Sequence, residues 1–176
     1  KKDPGSVKWG GGSAGSTEHI AIAMIAREVG VDPTRINYVP FRGGGEATAA
    51  ILGGNVTVGG SGYSEFQPYI ESGKMRAIGM TSAARQKGID VPTLKEQGIP
   101  VELGNWRGVY GAAGISDAQK KGLVDLIVKA TRTKAWTEAL EKNNWTPAFL
   151  AGKPFEDFVD NDMASLRVTM VKAGMI

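Results

Sequence analysis

Apolar positions in the first seventy residues come in short bursts, each followed by glycine and serine and then by a helical period. The segments VKW–GGGSAGS–TEHIAIAMIARE, INYVPF–RGGG–EATAAIL and VTV–GGSG–YSEFQPYI share one order: strand, loop, helix. Short apolar runs bounded by glycine predict strands at 7–9, 36–41 and 56–58, with a fourth at 75–80. A helical period predicts a first helix from about Ser16 to Val29, with Ile20, Met24, Ile25 and Val29 as its apolar stripe and Gly30 as its stop. A second, short helix opens at 43–45 and ends at Gly53 and Gly54. A third runs from about Ser64 to Glu71, with Pro68 near its first turn and Gly73 as terminator. Strands and helices alternating through short links predict an α/β fold with a mainly parallel sheet and helices on both faces.

Beyond residue 81 the pattern changes. Residues 82–104 read as loop with a short helix around 93–97, and 106–111 reads as a strand. Helices follow at about 116–131, 134–142 and 154–173, with 145–150 extended between them; Pro154 suits a first helical position. Leu123, Leu126, Ile127 and Ala130 make one apolar stripe, and Phe155, Phe158, Val159, Met163 and Leu166 make another. Such stripes require a partner surface. A boundary is expected near 105–114. It divides an α/β domain, 5–105, from a crossover strand with C-terminal helices, 106–176.

The loops carry the chemistry. A helix start presents unpaired N–H groups and a partial positive charge, and glycine lets a ligand come close to that backbone. In a parallel sheet all three loops emerge on one edge, where open α/β sheets bind ligands. In the first loop Ser13, Ala14, Gly15, Ser16 and Thr17 offer hydroxyls and N–H groups to a carboxylate. One of Ser13 and Ser16 is expected to cap the helix as well. Around the second loop Phe41, Arg42, Gly43 and Gly44 face the same edge, and the Arg42 guanidinium matches a carboxylate bidentately. In the third, Ser61 and Gly62 are candidate donors and Tyr63 a pocket wall, while Ser64 with Gln67 reads as a capping box.

Two enzymatic readings compete. Gly10-x-Gly12-x-x-Gly15 has the form of a dinucleotide fingerprint, but the second strand ends without the acid that would hold a ribose. Arg42 there would instead meet a 2′-phosphate, which keeps an NADP-dependent oxidoreductase as the alternative. Gly11-Gly12-Ser13-Ala14-Gly15 has the form of a nucleophile elbow, but the single histidine, His19, lies six residues on along the same chain. A lone histidine in a first helical turn is expected to be a local hydrogen-bonding group.

Composition narrows the field further. The chain has 176 residues, 41% of them hydrophobic, with a net charge of +3 and 25 glycines, about twice the usual share. Lys and Arg are scattered, so no nucleic-acid partner is expected. The chain has no cysteine and one histidine, so neither thiolate metal sites nor a histidine cluster for zinc is possible, and no metal or cofactor is expected. No apolar run approaches the ~20 residues of a membrane span. The chain opens on Lys1 and enters a strand almost at once, and we expect a longer protein with its start missing.

The segments GGGSAGSTEH, INYVPFRGGGEATAAILGGNV, GYSEFQPYIESGKMRAIGMTS and DVPTLKEQGIPVELGNWRGVYGAAG resemble the substrate-binding receptors of tripartite tricarboxylate transporters, the TctC-like or Bug family. The similarity continues to the C-terminus. It implies a two-lobed, type II periplasmic binding protein-like fold, here a second lobe plus C-terminal helices that pack on an N-terminal lobe outside this sequence. It implies a periplasmic, non-enzymatic receptor that holds a small organic di- or tricarboxylate between its lobes and delivers it to membrane subunits. The loop 13–17 and the glycines after Phe41 match the family's ligand contacts. Many relatives carry an acid where this chain has Thr57, and the GYSEF form resembles the citrate-type receptors.

Overall fold

The computed structural model describes residues 2–176. The chain divides into two compact units: one runs up to Asn105 and includes Ser165–Ile176, the other is Trp106–Ala164.

The first unit is built on a three-stranded parallel sheet of β1 (Lys8–Gly11), β2 (Asn37–Pro40) and β3 (Val58–Gly59), in the order β2-β1-β3. β1 is central, with Gly10 opposite Val39 on one side and Gly59 on the other. Helix α1 (Thr17–Glu28) links β1 to β2, and α2 (Gly44–Leu52) links β2 to β3. These two crossovers run in opposite directions across β1. Right-handed connections therefore place α1 and α2 on opposite faces of the sheet. Helix α3 (Tyr63–Glu71) follows β3.

Helix α1 buries Ile20, Ile22, Ala23 and Ala26, a wider face than the expected stripe, and Met24 and Ile25 are only half-buried. Helix α2 buries Ala47, Thr48 and Ala50. Small residues dominate because the sheet is close: a side chain on Gly11 would lie 2.6 Å from the Tyr38 hydroxyl and 2.8 Å from Glu18 Cβ. Val56, Ile89, Val91, Val101 and Ala173 complete this core.

Three expected elements form differently. The strand expected at 75–80 is reduced to one parallel bridge, Met80 to Thr93. β3 is two residues long and offers too little edge for a fourth strand to extend the ladder. Residues 80–103 are held instead by local bonds: Leu94 N–H to the Met80 carbonyl at 2.8 Å, and Thr81 Oγ1 to the Leu103 carbonyl at 2.8 Å. The short helix near 93–97 is a 3-10 turn at Lys95–Gln97. Buried Thr93 accepts from the Glu96 N–H at 3.1 Å, and Glu96 accepts in return from the Thr93 N–H at 2.7 Å. That backbone bond, reinforced by Arg85, holds the Glu96 carboxyl below its usual range.

The strand expected at 106–111 is also absent; the segment is irregular. Side chains rather than a ladder hold it. The Trp106 indole donates to Asp162 at 2.8 Å and meets Phe155 and Phe158 edge-on, with centroids at 6.0 and 5.4 Å. These contacts belong to the second unit, which contains α4 (Asp117–Thr131), α5 (Lys134–Lys142) and most of α6 (Lys153–Lys172). Ser116 and Gln119 form a capping box at the start of α4, and Lys120 pairs with Glu156 at 2.8 Å. None of residues 106–164 is fully buried. Leu126 and Met163, from the two apolar stripes, are 61% and 64% exposed. The end of α6 groups with the first unit, where Ala173 is buried and Gly174 lies against Thr34. This differs from an expected 106–176 segment because small residues at the C-terminus fit closely there.

Gly11→Ala is expected to lower stability by about 1–3 kcal/mol, the usual cost of forcing atoms into a packed site. Urea unfolding of the purified protein measures it. An unchanged midpoint would show that α1 and Tyr38 move aside freely.

Candidate functional site

β1, β2 and β3 all end on the same edge, so the loops 12–16, 41–43 and 60–62 emerge together. In a sheet with this order the crevice opens between the carboxyl ends of β1 and β3. The order also separates this fold from a dinucleotide-binding half, in which the third strand lies beyond the second; here it lies beyond the first. Nothing in the sheet supports the NADP reading of Gly10–Gly15.

In the first loop Ser13, Ala14 and Gly15 are exposed, and Ser16 and Thr17 are half-buried. Ser16, not Ser13, caps α1, accepting from the His19 N–H at 3.4 Å. Gly15 sits at φ +78°, in the left-handed region that favours glycine. Its N–H donates to His19 Nδ1 at 3.1 Å. The Ser16 N–H returns to the Ser13 carbonyl at 3.0 Å. Among the described residues the N–H groups of Ala14, Thr17 and Glu18 have no protein partner, as expected for a loop running into a helix start.

In the second loop Phe41 is half-buried and its ring lies over Gly10, while its N–H pairs with the Gly11 carbonyl at 3.0 Å. Arg42 is exposed, and its guanidinium makes no ion pair among the described residues; its backbone N–H donates to Glu46 Oε2 at 3.1 Å. Gly43 caps α2, and Gly44 lies at its first position, close to the Glu65 carboxylate. The third loop differs more from its expected form. The Ser61 hydroxyl donates to Glu65 Oε2, so its proton is already engaged within the protein. Gly62 is the cap of α3, and Ser64 lies inside the helix, so Ser64 and Gln67 make no capping box. The helix cap lies two residues earlier than expected. Gln67 Nε2 donates instead to Glu71 Oε1 at 2.7 Å.

Four residues of the edge went unnoticed in the sequence. Glu18, Glu46 and Glu65 each lie in the first turn of their helix. An acid in that position is a recognised helix-start signal and would have found them. Tyr38 carries no such signal. Its hydroxyl donates to the Gly12 carbonyl at 2.8 Å and lies 3.4 Å from Ser16 Oγ. Burial, above all, raises the Tyr38 phenol, the Ser16 contact opposes this, and the Glu18 charge adds to it. Among the described residues no three His, Cys, Asp or Glu side chains group to hold a metal, and no helix is long and apolar enough to cross a membrane.

A three-loop carboxyl edge on a 2-1-3 parallel sheet, with open helix-start N–H groups at its first loop, is the arrangement at which open α/β sheets hold ligands. The model of the tripartite tricarboxylate transporter family receptor matches residues 1–174, and the chain belongs to that family. It is 27% identical over 165 residues to the protein BugT of Bordetella pertussis, covering 93% of this chain and 50% of that protein. It is 28% identical over 145 residues to a protein encoded in the tcbD-tcbE intergenic region of Pseudomonas sp. strain P51, covering 81% of this chain and 42% of that one. The chain therefore spans about half the length of the curated relatives it matches. Among solved structures it resembles a TctC solute binding protein from Polaromonas, at 29% identity and TM-score 0.72, over 94% of this chain and 57% of that one. It shares its fold with an R. palustris protein solved with adipate, at 21% identity and TM-score 0.82, over 98% of this chain and 57% of that one. The fold is thus the α/β fold of periplasmic binding proteins of the TctC type, seen in part.

Ser16→Ala is expected to cost about 0.5–2 kcal/mol of stability through loss of the α1 cap, and Ser13→Ala close to nothing. Urea unfolding of both variants distinguishes them. Equal losses would show that the cap is shared.

Proposed function

We propose that this chain is the ligand-binding part of a periplasmic, non-enzymatic solute receptor that holds a small organic di- or tricarboxylate and delivers it to the membrane subunits of a tripartite transporter. The observation that carries the reading is the single carboxyl edge with three glycine-rich helix starts, in a chain of the TctC receptor family. Ligand carboxylates would meet the N–H groups of Ala14 and Thr17 in the first loop and of Gly43 and Gly44 in the second, with Gly62 in the third. Ser13 and Ser16 supply hydroxyls, and Arg42, exposed beside the edge, supplies the cation. Ser61 contributes only if Glu65 gives up its hydroxyl. Adipate, present in the R. palustris relative, supports a dicarboxylate, and the GYSEF segment supports a citrate-like ligand.

The same reading supplies a partner for the exposed stripes of residues 106–164. In a two-lobed receptor they pack on an N-terminal lobe of the same protein, and the site is completed from that lobe.

Isothermal titration of the intact protein with citrate, adipate and NADPH tests the reading. A carboxylate is expected to bind, more weakly as salt rises, and NADPH is not. Binding of NADPH with neither carboxylate would overturn it. Residues 1–176 expressed alone are expected to self-associate or bind a hydrophobic dye, because the stripes then face water. A monomer that unfolds cooperatively and takes up no dye would contradict the missing-lobe part of the proposal.

A further inference from the structure

The first loop has no side chain of its own large enough to hold it. Between Gly12 and Ser16 it carries only serine, alanine and glycine, and its middle three residues are exposed. It is fastened from outside at both ends. Tyr38, on β2, donates from its hydroxyl to the Gly12 carbonyl at 2.8 Å. His19, on α1, accepts from the Gly15 N–H through Nδ1 at 3.1 Å. The two rings stack on each other, with centroids 4.1 Å apart and planes within 9°. One two-ring unit thus spans the loop and holds it at both ends.

We propose that His19 and Tyr38 are positioning residues of the carboxylate loop, and that protonation of His19 releases the loop and weakens ligand binding. The inference rests on the receptor reading in taking this loop as a ligand loop. Its chemistry follows from the imidazole. When Nδ1 accepts from Gly15, the neutral ring carries its proton on Nε2. The imidazolium has a proton on both nitrogens, so Nδ1 then confronts the Gly15 N–H with another donor. The bond is lost, and Gly15, free at φ +78° with no Cβ to restrain it, is free to turn.

Protons reach the ring because His19 is only half-buried and lines a cavity of about 420 Å³ beside the loop. The other cavity residues, from Pro33 and Thr34 before β2 to Met170 and Met175 at the chain's end, carry no ionisable side chain. Tyr38, stacked on the ring face, is the titratable side chain shown in contact with the imidazole, and Glu18 precedes it along α1. Partial burial holds the imidazole below its ordinary value, so the ring is neutral and accepting at neutral pH. The sign follows. A depressed folded pKa means that the neutral ring's contribution is whole above the unfolded value and is lost as pH falls through the folded one.

The test uses the intact protein, nitrogen-15 labelled, between about pH 8 and about pH 5, across the histidine range. Gly15 amide exchange reports the loop, and isothermal titration with adipate and citrate reports binding. Gly15 protection is expected to fall as the imidazole titrates, and affinity to fall with it by roughly three- to tenfold beyond the ligand's own titration. His19→Phe keeps the stack and removes the acceptor. It should show fast Gly15 exchange at every pH and retain only the ligand's pH dependence. In His19→Asn, Oδ1 stands near the place of Nδ1 and does not titrate, so protection should return without the step. Tyr38→Phe frees the Gly12 carbonyl and should weaken binding without moving the imidazole midpoint. Gly15 protection that stays flat while His19 titrates in the wild-type protein would overturn the proposal, and this holds even where a variant fails to fold. A His19→Phe protein with wild-type affinity and pH profile would do the same. If Gly15 follows the imidazole but no carboxylate binds at any pH, the fastening stands and the receptor reading falls.

Discussion

β1 ends, between two strands and within contact of helix α1, in two glycines, and a side chain at either one would meet atoms already in place. A Cβ on Gly10 would meet Val56 at 3.0 Å and Phe41 at 3.1 Å; one on Gly11 would meet Tyr38 and Glu18 still closer. The two glycines are therefore a condition of the whole edge. They let Val56 and Phe41 close over Gly10, and Tyr38 and Glu18 over Gly11, at the centre of a sheet whose parallel strands bring three loops to one end. They also bring Tyr38 and the start of α1 close enough to fasten the first loop. A bulkier central strand would push α1 outward, and the Gly12–Ser16 segment would lose both its position and its supports.

Charge at that edge is balanced within the protein. Each of the three helix starts carries one glutamate in its first turn: Glu18, Glu46 and Glu65. A carboxylate there is favourable because it faces the unpaired N–H groups and the positive end of the helix. Glu46 accepts from the Arg42 N–H, and Glu65 accepts from Ser61 and lies beside Gly44. Two donors of the second and third loops, the Arg42 N–H and the Ser61 hydroxyl, therefore already have partners. In the first loop, by contrast, the Ala14 and Thr17 N–H groups have no protein partner among the described residues.

The unit of residues 106–164 stands on different physics. Its helices are well formed locally, with a capping box at Ser116, a Thr133 cap on α5 and i,i+4 ion pairs such as Lys121 with Asp125. Its packing centres on Trp106, Phe155 and Phe158, and none of its residues is fully buried. Helices of this kind derive most of their stability from burying an apolar face. Exposed Leu126 and Met163 mark where that burial is missing.

What the sequence determined by itself is whatever depends on neighbours along the chain. The three strand–loop–helix repeats, the glycine stops after α1, α2 and α3, and the cap at Ser16 come from local rules about φ, N–H groups and helical period, and all are found. His19 as a local hydrogen-bonding group was legible for the same reason, since its partner is four residues away. The strands expected at 75–80 and 106–111 were not decided locally. A strand exists only if an edge is available to pair with, and a two-residue β3 and an indole bound to Asp162 removed that condition. The cap of α3 went to Gly62 rather than Ser64, and the Ser61 proton went to Glu65, because the helix began ahead of Ser64. Tyr38 reaches Gly12 across 26 positions and stacks on His19 across 19, distances that no helical or strand period encodes. Only the parallel register of β1 against β2 brings those rings to the loop, so the loop's glycines and hydroxyls were readable in the chain and the contacts that hold it were not.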